Sequence, residues 1–136
     1  MVAVIMGLKG AGKTKHMIEL ANAAVDEESG LVVLIEKGQK LTFDIHHGVR
    51  LVDSSMYELT GNDMLRGFIA GLQAGNYDIS HIFIDSLHKV SGVEDIAETE
   101  KLLIWLEDFS RANDVKFTIT ISADAATATE KIKSYF

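Results

Sequence analysis

A glycine-rich segment near the beginning of the sequence has the residue types and the spacing needed to bind phosphate. Its letters, GLKGAGKT at residues 7–14, fit the pattern G-x-x-x-x-G-K-[ST] without a mismatch. Glycines let such a backbone curl so that N–H groups point inward at phosphate oxygens, and the following helix adds its positive amino-terminal end. We predict a nucleotide-binding loop; the alternative is a glycine-rich turn with an incidental lysine. The predicted binding residues are Gly7, Gly10, Ala11, Gly12, Lys13, Thr14 and Lys15.

Three side chains supply the charge and the metal ligands that a bound nucleotide needs. Lys13 is predicted to reach the β- and γ-phosphates, and the Thr14 hydroxyl is predicted to bind Mg²⁺. Asp85 ends the apolar run HIFID, which predicts a carboxylate at the carboxyl end of a buried strand. We expect Asp85 to hold the Mg²⁺ shell directly or through water; the alternative is a cap on the next turn.

The segments that must position these residues alternate between two hydrophobic patterns. Short apolar runs rich in β-branched residues predict five strands, over residues 2–6, 31–36, 49–53, 81–85 and 116–122. Apolar residues at helical spacing predict three helices between them, and a fourth helix follows Asp124. The fourth helix is predicted to have Ala125, Ala128, Ile132 and Phe136 on one face. Such alternation predicts an α/β fold with a parallel sheet covered on both faces.

Helix ends and loops are predicted from local residue types. Asn62 and Asp63 are candidate caps for the second helix, and Gly75 with Asn76 is expected to end it. Residues 37–48 have no clear period and are predicted to form a loop.

The composition indicates one acidic domain over residues 1–136. The chain is 47% hydrophobic, has a net charge of −7 at pH 7, and contains neither cysteine nor proline. Disulfides and thiolate metal sites are therefore excluded, and no apolar run has the length of a signal sequence or a membrane span. The negative charge argues against direct binding to nucleic acid or anionic lipid. We expect a cytoplasmic protein without membrane attachment.

Two classes of phosphate-loop protein find little support in this sequence. The guanine-reading pattern Asn-Lys-x-Asp is absent, so a GTPase is not expected. Small-molecule kinases normally clamp phosphates with arginines from a lid, and Arg111 is the one arginine after Asp85. A kinase remains an alternative because lysines can supply some of that charge.

The segment Ile84-Asp85-Ser86-Leu87, taken with the glycine-rich segment, resembles RecA-type recombinases and KaiC/RadA-like ATPases. The resemblance covers residues 2–122. It implies a P-loop NTPase fold, a RecA-like three-layer α/β/α sandwich with a mainly parallel five-stranded sheet. It also implies that the strand of residues 116–122 lies between the strand before the loop and the strand before Asp85. The ligand implied is ATP with Mg²⁺.

Two further site residues follow from this resemblance. Glu36 ends the second strand, where the family has the glutamate that orients and activates the attacking water. Ser122 ends the fifth strand, where the family has a polar residue that senses the γ-phosphate. The alternatives are a solvated glutamate for Glu36 and ordinary strand positions for Thr120 and Ser122.

Three departures from the family bear on function. Only Lys131 and Lys133 lie where relatives have the cation that completes a neighbouring subunit's ATP site. Residues 94–108 contain six carboxylates against one lysine, which makes contact with nucleic acid unfavourable. No strand is predicted beyond that of residues 2–6, which should therefore lie at a sheet edge. We expect the C-terminal helix to cover this edge or another subunit to pair with it, so a homo-oligomer or a protein partner is predicted.

These observations predict a minimal RecA/KaiC-like ATPase that binds Mg²⁺-ATP and hydrolyses it slowly. One alternative is a non-hydrolysing regulatory sensor, whose acidic helix docks a partner when ATP is bound. A small-molecule kinase is the third candidate.

Overall fold

The computed structural model describes all 136 residues and contains one sheet of five parallel strands. The strands are β1 (Val2–Gly7), β2 (Leu31–Glu36), β3 (Val49–Asp53), β4 (Ile79–Ile84) and β5 (Lys116–Ser122). Their order across the sheet is β1-β5-β4-β2-β3, and each neighbouring pair is parallel. The predicted α/β fold is confirmed, and so is the position of β5 between β1 and β4.

Helices cover both faces of this sheet. They are α1 (Lys13–Glu27), α2 (Asn62–Gly75), α3 (Leu87–Ser91), α4 (Ile96–Asn113) and α5 (Glu130–Lys133). Alternate residues of β2 enter different hydrophobic clusters, because successive strand side chains point to opposite faces. Met17 and Ala21 of α1 pack with Leu34 on one face, whereas Leu65 and Leu102, from α2 and α4, pack on the other. The result is three layers with a core on each side of the sheet.

Several boundaries differ from the prediction. β4 begins at Ile79 and ends at Ile84, so Asp85 is the first residue after the strand. α3 and a short 3₁₀ turn, Ser54–Tyr57, were not predicted because each is too short to show a hydrophobic period. No helix combines the length and the apolar composition that a membrane span requires.

The predicted caps of α2 are wrong at its start and right at its end. Gly61 is the N-cap residue, and the Asn62 side chain instead donates a hydrogen bond to the Glu98 carbonyl at 3.3 Å. The helix ends at Gly75, and Asn76 is its C-cap residue.

The C-terminal segment is not the single helix that the sequence predicts. A 3₁₀ turn, Ala125–Thr127, is followed by extended backbone at Ala128, and α5 begins only after Thr129. The Thr129 hydroxyl accepts the Ile132 N–H at 3.1 Å and thereby starts a new helix. Because the helix is broken, Phe136 is 57% exposed and Tyr135 is buried in its place.

This C-terminal segment covers the edge of the sheet at β1. The Val4 N–H donates to the Tyr135 carbonyl at 2.9 Å, and Ile132 and Tyr135 are buried in the same core as Val4. The first of the two predicted ways to protect β1 is therefore present within the chain.

Candidate functional site

The glycine-rich loop (residues 7–14) joins β1 to α1 at the carboxyl edge of the sheet. Gly10 and Gly12 have φ angles of 91° and 82°, in the left-handed region that residues with a Cβ avoid. The Ala11 N–H donates to the Leu8 carbonyl at 3.1 Å and closes the turn. The sequence therefore places glycine at the two positions of this loop where the backbone requires it.

Most N–H groups of this loop have no acceptor in the protein. The first helical bond of α1 runs from the His16 N–H to the Gly12 carbonyl at 3.1 Å. The N–H groups of Gly10, Gly12, Lys13, Thr14 and Lys15 donate to no protein atom. Successive free N–H groups beside left-handed glycines form a concave site for anions, and the amino terminus of a helix strengthens it.

Lys13 is a buried cation without a carboxylate partner. Its side chain donates to the Leu8 carbonyl at 2.9 Å, and the residue is 8% exposed. An ammonium group has three donors, so this single bond leaves two of them for a ligand. A buried charge of this kind is stabilised when an anion binds beside it.

A cavity of about 430 Å³ opens beside the loop, and no hydrophobic or acidic residue lines it. We call it the lysine cavity; its lining residues are Lys9, Gly10, Gly12, Lys13, Thr14, Lys15, Ser86, Lys89 and Ser122. None of its four lysines forms an ion pair. In a chain of net charge −7 this is a local concentration of positive charge.

Asp85 lies next to Thr14, although the two residues are far apart in sequence. The Thr14 hydroxyl is 3.3 Å from both carboxylate oxygens of Asp85. This separation is longer than a usual O–H···O bond, and of the two residues only Thr14 lines the lysine cavity. Hydroxyl and carboxylate oxygens are ligands that Mg²⁺ prefers.

The residues present fit a Mg²⁺ ion that is shared with a phosphate ligand. No group of three or more histidine, cysteine or acidic side chains could hold a metal ion alone. Mg²⁺ usually takes one or two protein oxygens and completes its shell with water and phosphate. Thr14 and Asp85 match that requirement.

Ser122 and Thr120 lie on the same face of β5, because strand side chains two apart point the same way. Ser122 pairs with Gly7 in the β1–β5 register and lines the lysine cavity. Thr120 is buried and contacts Asp85 directly, a role that the sequence left open. The alternation of Thr118, Thr120 and Ser122 was the signal that these residues share one face.

Glu36 is near Asp85 but does not line the lysine cavity. The Asp85 N–H donates to the Ile35 carbonyl at 2.9 Å, so Glu36, the last residue of β2, and Asp85, the first residue after β4, lie at neighbouring strand ends. The Glu36 oxygens accept the N–H groups of Lys40 at 3.2 Å and Leu41 at 3.1 Å. The Glu36 residue is 5% exposed, and its two hydrogen bonds connect the loop of residues 37–48 to the end of β2.

The surroundings of Glu36 raise its pKa. Burial raises the pKa of Glu36 above its usual value, and the N–H groups of Leu41 and Lys40 oppose this rise. The nearby charges of Asp85 and Asp53 raise the pKa further. Glu36 also borders a second cavity of about 360 Å³ that is lined in addition by Arg50, Asp53 and Tyr57.

Lys89 is a cavity residue that sequence reasoning missed. It lies on α3, four residues after Asp85, and lines the lysine cavity together with residues of the glycine-rich loop. Arg111 is the one arginine after Asp85, so the positive charge of this segment comes from a lysine. The available signal was the lysine four residues after Asp85, in the segment that follows the strand.

Comparison with protein-family models yields no matching family, and comparison with curated proteins yields no similar sequence. Function is therefore inferred from the lysine cavity and the residues around it.

Proposed function

We propose that this chain binds Mg²⁺-ATP in the lysine cavity and hydrolyses it slowly, as a minimal RecA/KaiC-like P-loop ATPase. The observation that carries the proposal is a carboxylate-free cavity with four unpaired lysines and a row of free backbone N–H groups. Phosphate is the common biological ligand that requires this combination of donors and positive charge.

Each site residue has a distinct part in this binding. The N–H groups from Gly10 to Thr14 donate to phosphate oxygens, and Lys13 exchanges the Leu8 carbonyl for a phosphate oxygen. Thr14 and Asp85 supply protein oxygens to Mg²⁺, which lowers the charge on the phosphates when it is bound. Ser122 lines the same cavity and is the candidate contact for the terminal phosphate.

Hydrolysis requires a residue that orients water in line with the γ-phosphate. In that step the water oxygen bonds to the γ-phosphorus, the bond to the β–γ bridging oxygen breaks, and a base takes the water's proton. Glu36 is the candidate base, but its two oxygens accept the N–H groups of Lys40 and Leu41. Glu36 is also buried and does not line the lysine cavity, so it is poorly placed to take a proton from water there, and we expect slow turnover.

The bonds of Glu36 also favour a second candidate, an ATP-binding sensor that does not hydrolyse its ligand. Rate enhancement in phosphoryl transfer comes mostly from positioning and electrostatics, so a site without a free base binds ATP and turns it over very slowly. The acidic face of α4 would then contact a protein partner in the ATP-bound state.

Phosphate release and ATP binding, measured on the wild type and Glu36→Gln, separate the candidates. Turnover that is lost in Glu36→Gln while ATP binding persists supports the ATPase. Tight binding without turnover in the wild type supports the sensor. Release of ADP that needs an added small-molecule acceptor identifies a kinase, and absence of ATP binding overturns the proposal.

A further inference from the structure

Lys89 is the one cation of the lysine cavity that does not belong to the glycine-rich loop or the start of α1. It lies on α3, which is held on three sides. The Ser86 N–H donates to Thr120 at 2.7 Å, His88 is 3.1 Å from the Thr99 hydroxyl, and the Ser91 carbonyl accepts from the Gly61 N–H. The backbone that bears Lys89 is therefore fixed before any ligand binds.

The apolar side of α3 leaves Lys89 facing outward. Leu87 and Val90 are buried in the core, whereas Lys89 is exposed and lines the cavity. This orientation follows from helical geometry, since Leu87 and Val90 are three residues apart and share the buried face, whereas Lys89 lies off that face.

Lys89 is also one of the cations that form no ion pair. Of the 13 lysines and arginines, six form ion pairs, namely Arg66, Lys101, Arg111, Lys116, Lys131 and Lys133. The others are unpaired, and with the exception of Arg50 they all follow the carboxyl ends of β1, β2 and β4. An acidic protein with twenty carboxylates leaves these charges without partners on the edge that bears the cavity.

We propose that Lys89 contacts the terminal phosphate and makes the site select nucleoside triphosphate over diphosphate; this inference rests on the proposed function. Thr14 and Asp85 would hold the Mg²⁺ that accompanies a nucleoside triphosphate, so we expect the terminal phosphate on the side of Asp85. Lys89 follows Asp85 by four residues and lines the same cavity. The triphosphate differs from the diphosphate by one phosphate group, and Lys89 provides a second cation for that group in addition to Lys13 of the glycine-rich loop.

This role also provides a cation for the terminal phosphate, which the sequence analysis did not assign to any residue of the same subunit's site. Phosphoryl-transfer sites place a positive side chain on the terminal phosphate in addition to the loop lysine. In this chain Lys89 supplies that charge from within the same subunit, so triphosphate recognition needs no residue from a second copy.

The test is calorimetric titration of the intact protein with ATP and with ADP, both with Mg²⁺ and at one ionic strength. The variants are Lys89→Ala, Lys89→Arg and the control Lys37→Ala, which removes an exposed, unpaired lysine outside the cavity. We expect Lys89→Ala to weaken ATP binding roughly tenfold and ADP binding less than twofold, since a charge-assisted hydrogen bond is lost only with ATP. Lys89→Arg should keep most of the preference, and Lys37→Ala should match the wild type.

The possible results distinguish this inference from the proposed function. If the wild type binds nucleotide but Lys89→Ala affects ATP and ADP equally, or affects neither, the assignment of Lys89 is overturned and nucleotide binding stands. If the wild type binds neither nucleotide, the proposed function fails and the role of Lys89 fails with it.

Discussion

Thr120 on β5 holds the carboxylate of Asp85 at the end of β4, with 2.8 Å between the Thr120 hydroxyl and Asp85 Oδ1. The same hydroxyl accepts the Ser86 N–H at 2.7 Å. Ser86 has the left-handed φ of 56°, an uncommon conformation for a residue with a side chain. One buried hydroxyl therefore fixes both the proposed Mg²⁺ ligand and the strained turn into α3.

Thr120→Val tests this relationship because valine keeps the shape and removes the hydroxyl. The Ser86 N–H loses its partner and Asp85 loses a donor, so we expect the free energy of unfolding to fall by about 1–3 kcal/mol. We also expect ATP binding to require a higher Mg²⁺ concentration. Urea unfolding and Mg²⁺-dependent binding are the measurements, with Thr42→Val at an exposed position as the control. Unchanged stability and Mg²⁺ dependence would show that the hydroxyl has no such role.

Glu36→Gln should loosen the loop of residues 37–48 whether or not Glu36 acts in hydrolysis. Glutamine has one acceptor oxygen, so one of the two N–H groups held by Glu36 must face an amide N–H₂ group. We expect faster hydrogen exchange at the Lys40 and Leu41 amides, and a loss of about 1–3 kcal/mol of stability. Glu19→Gln on the exposed side of α1 is the control. Wild-type exchange rates at these amides would contradict the arrangement.

His81 should make the protein less stable as the pH falls below neutrality. Burial lowers its pKa from 6.5 to about 4, with Glu28 opposing the shift and Lys116 adding to it. The unfolded chain therefore binds a proton at this residue between pH 6.5 and 4 that the folded chain does not bind. The stability that neutral His81 contributes is fully present above pH 6.5 and is lost as the pH falls to 4, a difference of roughly 3 kcal/mol.

Urea unfolding at several pH values tests this expectation. His81→Gln should flatten the dependence between pH 6.5 and 4, whereas His47→Gln, at an exposed position, should keep the wild-type slope. Parallel curves for the wild type and His81→Gln would rule out His81 as the source.

Ile132→Ala should weaken the cover of the β1 edge. Ile132 is fully buried, so its truncation should cost about 2–5 kcal/mol and leave the edge strand more open to pairing with a second molecule. Phe136→Ala is the matched control because Phe136 is exposed, and we expect its effect to stay within about 0.5 kcal/mol. The measurements are urea unfolding and sedimentation velocity. Equal effects of the two substitutions would contradict this structure and favour the predicted single helix, in which Ile132 and Phe136 share one buried face.

The strands, the main helices and the glycine-rich loop were predictable from sequence because each depends on local pattern. Buried parallel strands leave short, nearly continuous apolar runs, and the turn into α1 requires glycine at Gly10 and Gly12. The sheet order followed from the resemblance and not from any local signal. The break at Ala128 escaped prediction because Thr129 starts a new helix where the hydrophobic spacing alone would continue the old one.

The residues that the sequence could not assign are those whose contacts depend on the folded sheet. Thr120 meets Asp85 only because β5 lies beside β4, and Lys89 enters the cavity only because α3 is anchored at Ser86. The hydrogen bonds from the following loop to Glu36 could not be predicted from the sequence either, since residues 37–48 have no regular hydrophobic pattern. Tertiary placement, more than residue type, decides these roles.

Calorimetric titration of the wild type and Lys13→Ala with Mg²⁺-ATP tests the central claim most directly. Lys13 is the buried cation of the lysine cavity, and its loss removes charge and donors from the phosphates. We predict saturable binding by the wild type, at least tenfold weaker binding by Lys13→Ala, and wild-type binding by Lys37→Ala. Wild-type affinity in folded Lys13→Ala, or no binding by the wild type, would contradict the account.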